Sequence, residues 1–193
     1  LTESVNKSFN RISVDGETST NDMVCMLANG NAPIKIDLGS KDAEIFQEAL
    51  DDICVKMAKS IVADGEGANK LITINIKNAK SVKDADLIGK AIANSPLVKT
   101  AAHGADANWG RIIGAIGYSG AAIDPDNIEI KLDDLIVMGK EFQSNFDETV
   151  AKEILLKDEI EININLNLGH CNSTWWTCDF SKEYVEINAS YRT

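Results

Sequence analysis

Histidine occurs only twice and proline three times in this 193-residue chain, aromatic side chains make up 6%, and none of the four cysteines forms a C-x-x-C pair. Each scarcity removes a class of protein. Cys25, Cys54, Cys171 and Cys178 are too few and too scattered for a disulfide scaffold, so a reduced setting is expected, either a cytoplasm or an organelle matrix such as that of the mitochondrion. Apolar runs are short and soon meet a charge, which leaves no segment able to span a bilayer and no membrane partner. Nineteen Lys plus Arg against 30 Asp plus Glu give a net charge of −11. With no basic stripe to offset it, that charge repels phosphate backbones and argues against nucleic acid. There is no G-x-S-x-G, hence no nucleophile elbow. Gly114, Gly117 and Gly120 follow a helix-like segment rather than a strand, so close helix packing explains them better than a dinucleotide loop.

The start is also bare. No initiator Met precedes Leu1, and Leu1-Thr-Glu-Ser-Val-Asn-Lys reads as helix at once, without the basic and apolar regions of an export signal. The expectation is a chain cut from something longer.

What is present is an ordinary globular mixture of 44% hydrophobic and 25% charged residues. Ser8 to Val14 alternates and predicts a strand, followed by a polar loop over Asp15 to Asp22 that caps the apolar segment Met23 to Ala28. Lys41 to Val62 predicts a helix capped by Ser40, with Phe46, Leu50, Ile53, Met57 and Ile61 on its apolar face, Cys54 beside them, and Gly65 as the left-handed residue that ends it. Ile72, Ile74 and Ile76 alternate as a strand. Lys83 to Asn94 predicts a helix, Leu97 to Ala102 a short strand, and Trp109 onward another helix. Two short runs joined through Asp133-Asp134 predict a hairpin, and Asp147 to Leu156 a helix. The strongest strand pattern runs from Ile160 to Leu168, and Tyr184 to Asn188 reads as a last strand. The class is α/β in the first half and α+β in the second, with the composition shift near residues 95–120 as the expected boundary.

Few residues offer chemistry. The three hydroxyls of the 15–22 loop suit a cap or an anion. Asp64-Gly65-Glu66-Gly67 sets a carboxylate between flexible glycines, where Glu66 could meet a ligand ammonium or stay a solvated turn residue. His170, Cys171 and Cys178 match no familiar zinc spacing, so no metal is expected. His103, between Ala102 and Gly104, reads as structural, and Trp175-Trp176 as a core or interface pair. No convincing nucleophile stands in the chain.

Four segments in register carry a resemblance. Ser-Phe-Asn-Arg-Ile-Ser-Val-Asp-Gly-Glu-Thr-Ser-Thr-Asn-Asp (8–22), Asp-Gly-Glu-Gly-Ala-Asn-Lys (64–70), Asp-Ala-Asn-Trp-Gly-Arg-Ile (106–112) and Ile-Asn-Ala-Ser-Tyr-Arg-Thr (187–193) resemble the C-terminal β chain of ornithine acetyltransferase, the glutamate N-acetyltransferase of the cyclic arginine pathway. The resemblance implies a precursor that cleaves itself before a threonine, leaving an α chain and a β chain associated as an α2β2 or larger assembly. It implies acetyl transfer from N-acetylornithine to glutamate through that threonine, with no cofactor and with acetyl-CoA as an optional second donor. Glu66, Asn188 and the terminal Thr193 match the family's substrate contacts. The fold implied is part of an αββα-type N-terminal-nucleophile-like sandwich over residues 1–95, shared with the α chain. A smaller α+β domain over 96–193 follows, its tail returning to the active site. The family's threonine belongs about two dozen residues upstream of Ser8 in a strand. Thr2 does not fit that place, so the nucleophile is expected upstream of Leu1. Asn69, Trp175 and Thr177 depart from the family's usual Thr, Ala and Gly. A related self-processing amidohydrolase or aminopeptidase, and a non-catalytic binding module, remain as rival readings.

Overall fold

The computed structural model describes residues 1–190. Its helices are α1 (Thr2–Lys7), α2 (Lys41–Ala63), α3 (Val82–Ala93), α4 (Pro96–His103), α5 (Trp109–Tyr118), α6 (Glu148–Leu155) and α7 (Lys182–Ser190). The strands are β1 (Ile12–Ser13), β2 (Leu71–Ala79), β3 (Glu129–Leu132), β4 (Leu135–Met138), β5 (Glu159–Asn165) and β6 (Cys171–Cys178). All six strands join one mixed sheet in the order β1-β6-β2-β5-β3-β4. No second sheet stands among the described residues. Strands from both sides of residue 95 interleave, since β2 lies between β5 and β6, and Ala93 and Val98 belong to the same buried cluster.

β2 organises the sheet. It runs parallel to β5, pairing Leu71 with Glu159 through Lys77 with Asn165, and antiparallel to β6, pairing Leu71 with Cys178 through Ile76 with Ser173. A parallel pair needs a long crossover, and α3 to α6 supply it. Those helices cover one face of the sheet, where Ile72, Ile74 and Ile76 of β2 meet Ile160, Ile162 and Ile164 of β5 under Ile88, Ile92, Ile112 and Ile116. Each such side chain removed from water contributes on the order of 2 kcal/mol. The opposite face is smaller: Val62, Leu71, Trp176 and Cys178 cluster with Ile12, Val14 and Val55 beneath α2. Trp175 and Trp176 point to opposite faces and are both buried, as a core pair should be.

Several expectations hold. Ser40 caps α2 by accepting from the Ala43 amide at 3.2 Å, and the hairpin turns through Asp133-Asp134 with Leu132 opposite Leu135. Others are overturned. Phe46, Ile53, Met57 and Ile61 are about half exposed, and α2 instead buries Cys54, Ala58 and Val62, small residues that let it lie close to the sheet. Residues 97–102 form α4, because Ser95 accepts from the Val98 amide and Pro96 sits at the first helical position, where its missing N–H costs nothing. Residues 184–188 form α7, and the residues from 8 to 14 give only a 3-10 turn and a two-residue strand. Met23 to Ala28 is irregular and exposed, so the 15–22 loop caps no helix. β6 carried no alternation because both of its faces are covered, and its last four residues are all buried. Among the described residues no helix is long and apolar enough to cross a membrane.

Gly89 marks the closest approach of α3 to the sheet, since a Cβ there would overlap the Trp175 indole. Alanine in a helix interior normally gains about 1 kcal/mol over glycine. Gly89→Ala is expected instead to lose about 1–3 kcal/mol in urea denaturation with an unchanged m-value, because the buried ring has nowhere to move. A stabilised variant would contradict this packing.

Candidate functional site

The turn after α2 and the helix at the end of the described chain meet. α2 stops at Ala63 with Asp64 as its cap, and the left-handed residue is Gly67 (φ +67°) rather than Gly65. A Cβ at Gly67 would strike the backbone of Tyr184, so glycine there lets α7 sit against the turn. Ser181 fastens the two together: its hydroxyl donates to the Gly67 carbonyl at 2.7 Å and accepts from the Tyr184 amide at 3.3 Å. Seven residues on, Asn188 Nδ2 donates to Glu66 Oε2 at 3.0 Å. Tyr184 donates its hydroxyl to Asp15 Oδ2 at 3.0 Å, which brings the start of the 15–22 loop to the same place. Partial burial and the Asp15 hydrogen bond both push the Tyr184 hydroxyl above the usual tyrosine range, so it remains a donor.

Beneath this surface lies a buried polar layer. The Asp179 side chain is fully buried; its Oδ1 accepts from the amides of Asn69 (2.7 Å) and Lys70 (2.9 Å), and its Oδ2 lies 2.8 Å from His103 Nδ1. Lys99 is 1% exposed, and no carboxylate among the described residues pairs with its ammonium. Its Nζ donates to Thr177 Oγ1 at 2.7 Å and to the Cys178 carbonyl, and stands 4.6 Å above the Phe180 ring. Burial holds the lysine below its ordinary range and pushes the Cys178 thiol up. Phe180 stacks on Tyr184 at 4.7 Å, which links this layer to α7.

Of the residues singled out from sequence, Glu66 and Asn188 come together, both exposed. Thr193 lies outside the described residues. Cys171 and Cys178 occupy opposite ends of β6, so with His170 they cannot share an ion, and among the described residues no group of three His, Cys, Asp or Glu is placed to hold a metal. Gly114 and Gly117 are exposed with open space where a Cβ would go, so close packing does not explain them. Asp179, Ser181 and Tyr184 were not singled out. Ser181 with Glu183 just after it was a readable helix start that the alternation of residues 184–188 overrode.

Comparison with known proteins gives the class first. The crystal structure of arginine biosynthesis bifunctional protein argJ from Bacillus halodurans superposes with a TM-score of 0.95 at 42% identity, covering 98% of this chain and 90% of that one. The six-stranded mixed α/β fold is thus that of a solved arginine-biosynthesis protein. The sequence matches the ArgJ family along residues 1–193. It is 50% identical over 193 residues to the arginine biosynthesis bifunctional protein ArgJ of Chlorobium chlorochromatii, and 46% identical over 202 residues to the mitochondrial ArgJ of Schizosaccharomyces pombe. This chain belongs to the ArgJ family. It covers 45% of each of those two proteins, and so spans about half the length of the curated relatives it matches.

Ser181→Ala removes both the cap of α7 and its tie to the turn. The substitution is expected to cost about 1 kcal/mol and to speed amide exchange across Tyr184 to Ser190 about fivefold, read by hydrogen-exchange mass spectrometry, with α2 unchanged. Equal acceleration in both helices would mean that Ser181 supports the whole fold rather than the tail.

Proposed function

We propose that this chain is the β-chain share of a glutamate N-acetyltransferase, moving the acetyl group of N-acetylornithine to glutamate in arginine biosynthesis. The nucleophile is a threonine upstream of Leu1, freed when a precursor cleaves itself, and the α chain supplies the oxyanion donors. Threonine attacks the acetyl carbonyl, ornithine leaves with the proton, and the glutamate amine then attacks the acyl-threonine to regenerate the hydroxyl. Such an enzyme shows ping-pong kinetics. It works where arginine is made, in a bacterial cytoplasm or a mitochondrial matrix.

The observation that carries this reading is the meeting of Glu66 and Asn188 across 122 positions. A carboxylate pairs with the free side-chain ammonium of N-acetylornithine, whose α-nitrogen carries the acetyl group. A neighbouring amide both accepts and donates, as a zwitterion requires. Thr193 would complete the set. Two further facts support a shared chain. The solved relative is covered to 90% by this chain whereas curated relatives are covered to 45–48%, so that solved chain is itself of about this length. And α2 leaves Ile45, Phe46, Ile53, Met57 and Ile61 about half exposed, an apolar face of the kind an obligate partner covers.

The test uses the complete precursor, expressed whole and allowed to process. Intact mass should give two chains, the second beginning with Thr, and a +42 Da adduct (about one acetyl group) on that chain after mixing with N-acetylornithine. Acetyl-CoA is offered separately as a second donor. Glu66→Ala is expected to raise KM for N-acetylornithine about 10–100-fold, the loss of a charge-assisted contact. Unchanged kinetics across a full substrate titration would remove Glu66 from the site, and transfer to water in place of glutamate would make the protein a hydrolase.

A further inference from the structure

Asp179 carries a fully buried carboxylate at the joint between β6 and α7. A buried carboxylate is costly unless its lone pairs are filled. Here three donors fill them, two of them from one loop. The amides of Asn69 and Lys70 converge on Oδ1, three and four residues after Glu66. His103, on α4, meets Oδ2. Because a carboxylate only accepts, His103 Nδ1 carries the proton, and the imidazole is fixed in one tautomer.

Two positions further on, Ser181 grips the Gly67 carbonyl. The turn that carries Glu66 is therefore held at three backbone atoms, on Gly67, Asn69 and Lys70, by side chains from a single three-residue joint. Phe180, between them, is itself tied down, with its amide on the Lys99 carbonyl (3.2 Å) and its ring under the Lys99 ammonium. The same joint launches α7 and so also decides where Asn188 stands. The turn has bonds of its own, from the Gly65 amide to Val62 and from the Ala68 amide to Gly65, but the Glu66 side chain makes a single hydrogen bond among the described residues, so its orientation follows the backbone that the joint holds.

We infer that Asp179, oriented by His103, is a positioning residue for Glu66 and thereby for the substrate ammonium. The inference rests on the reading of Glu66 as the ammonium contact. It assigns His103 a role beyond filling space: it holds the carboxylate that holds the turn.

The test is kinetic and uses the processed, two-chain enzyme with N-acetylornithine and glutamate. Glu66→Gln, Asp179→Asn and the double variant form a cycle. Asp179→Asn is expected to raise KM for N-acetylornithine about tenfold with kcat within about threefold of wild type, and to add less than about twofold in the Glu66→Gln background. Independent action would multiply fully in both backgrounds and would overturn the inference.

His103 guards against a misfolded Asp179 variant, because its side chain is 39% exposed and tolerates change. His103→Leu should reproduce a weaker KM defect of about threefold, while His103→Asn, whose Nδ2 can stand where Nδ1 stood, should restore the wild-type value. Equal behaviour of the Leu and Asn variants would overturn the positioning role. Should Glu66→Gln leave KM untouched, the substrate reading fails by itself. The positioning claim is then decided by exchange at the Asn69 and Lys70 amides, which must accelerate in His103→Leu and recover in His103→Asn; unaltered exchange overturns it.

Discussion

The register of β2 is the constraint on which the remainder hangs. A strand paired on both sides cannot slide, and a slip of one residue would turn Ile72, Ile74 and Ile76 out of the core and bring Thr73 and Asn75 in. The fixed register also sets the place where the strand begins. Leu71 stands opposite Cys178, so the residues just before one strand and just after the other, Asn69-Lys70 and Asp179, are forced side by side. The Glu66 turn is thus located by hydrophobic pairing many residues away from it.

The two faces of the sheet are treated differently. Helices α3 to α6 bury one face in a continuous isoleucine-rich layer. The other is polar over much of its centre, where Asn75 donates to Asn163, Thr174 donates to Asn75, and Asn78 donates to Asn165 across neighbouring strands. Only the end beneath α2 is apolar. That end is also where β1, Asp15, the Glu66 turn and α7 collect, at the rim of the smaller core.

The alternating strand β5 and the capped helix α2 were legible because each has a single period and a clear boundary residue. The inward face of α2 was legible only at Cys54, since the large residues at helical spacing stand outward while Ala58 and Val62 join the thiol against the sheet. Short elements were the hardest to read. Residues 97–102 carry a strand-like pattern although Pro96 starts a helix there, and β6 was hidden because Trp175 and Trp176 are buried on opposite faces and leave no alternation. Glu66 stood out from its glycine-flanked turn, Asn188 only through resemblance to a family, and no spacing rule would have paired them. Asp179 escaped both routes and His103 read only as structural, as a buried carboxylate with its partner has no periodic signature and becomes visible only when the backbone around it is known.

Helix α7 contains no buried residue. It is kept in place by a serine cap, one stacked ring pair and hydrogen bonds to exposed acids, the kind of attachment that opens locally well before the rest of a domain unfolds. Docking of the tail is therefore an equilibrium of its own, separate from global folding. Any ligand that needs Asn188 binds only the docked fraction, and its apparent dissociation constant is the intrinsic one divided by that fraction. Affinity at this site can accordingly be raised or lowered by changes that touch no ligand atom, through the free energy with which the last turns of the chain lie down.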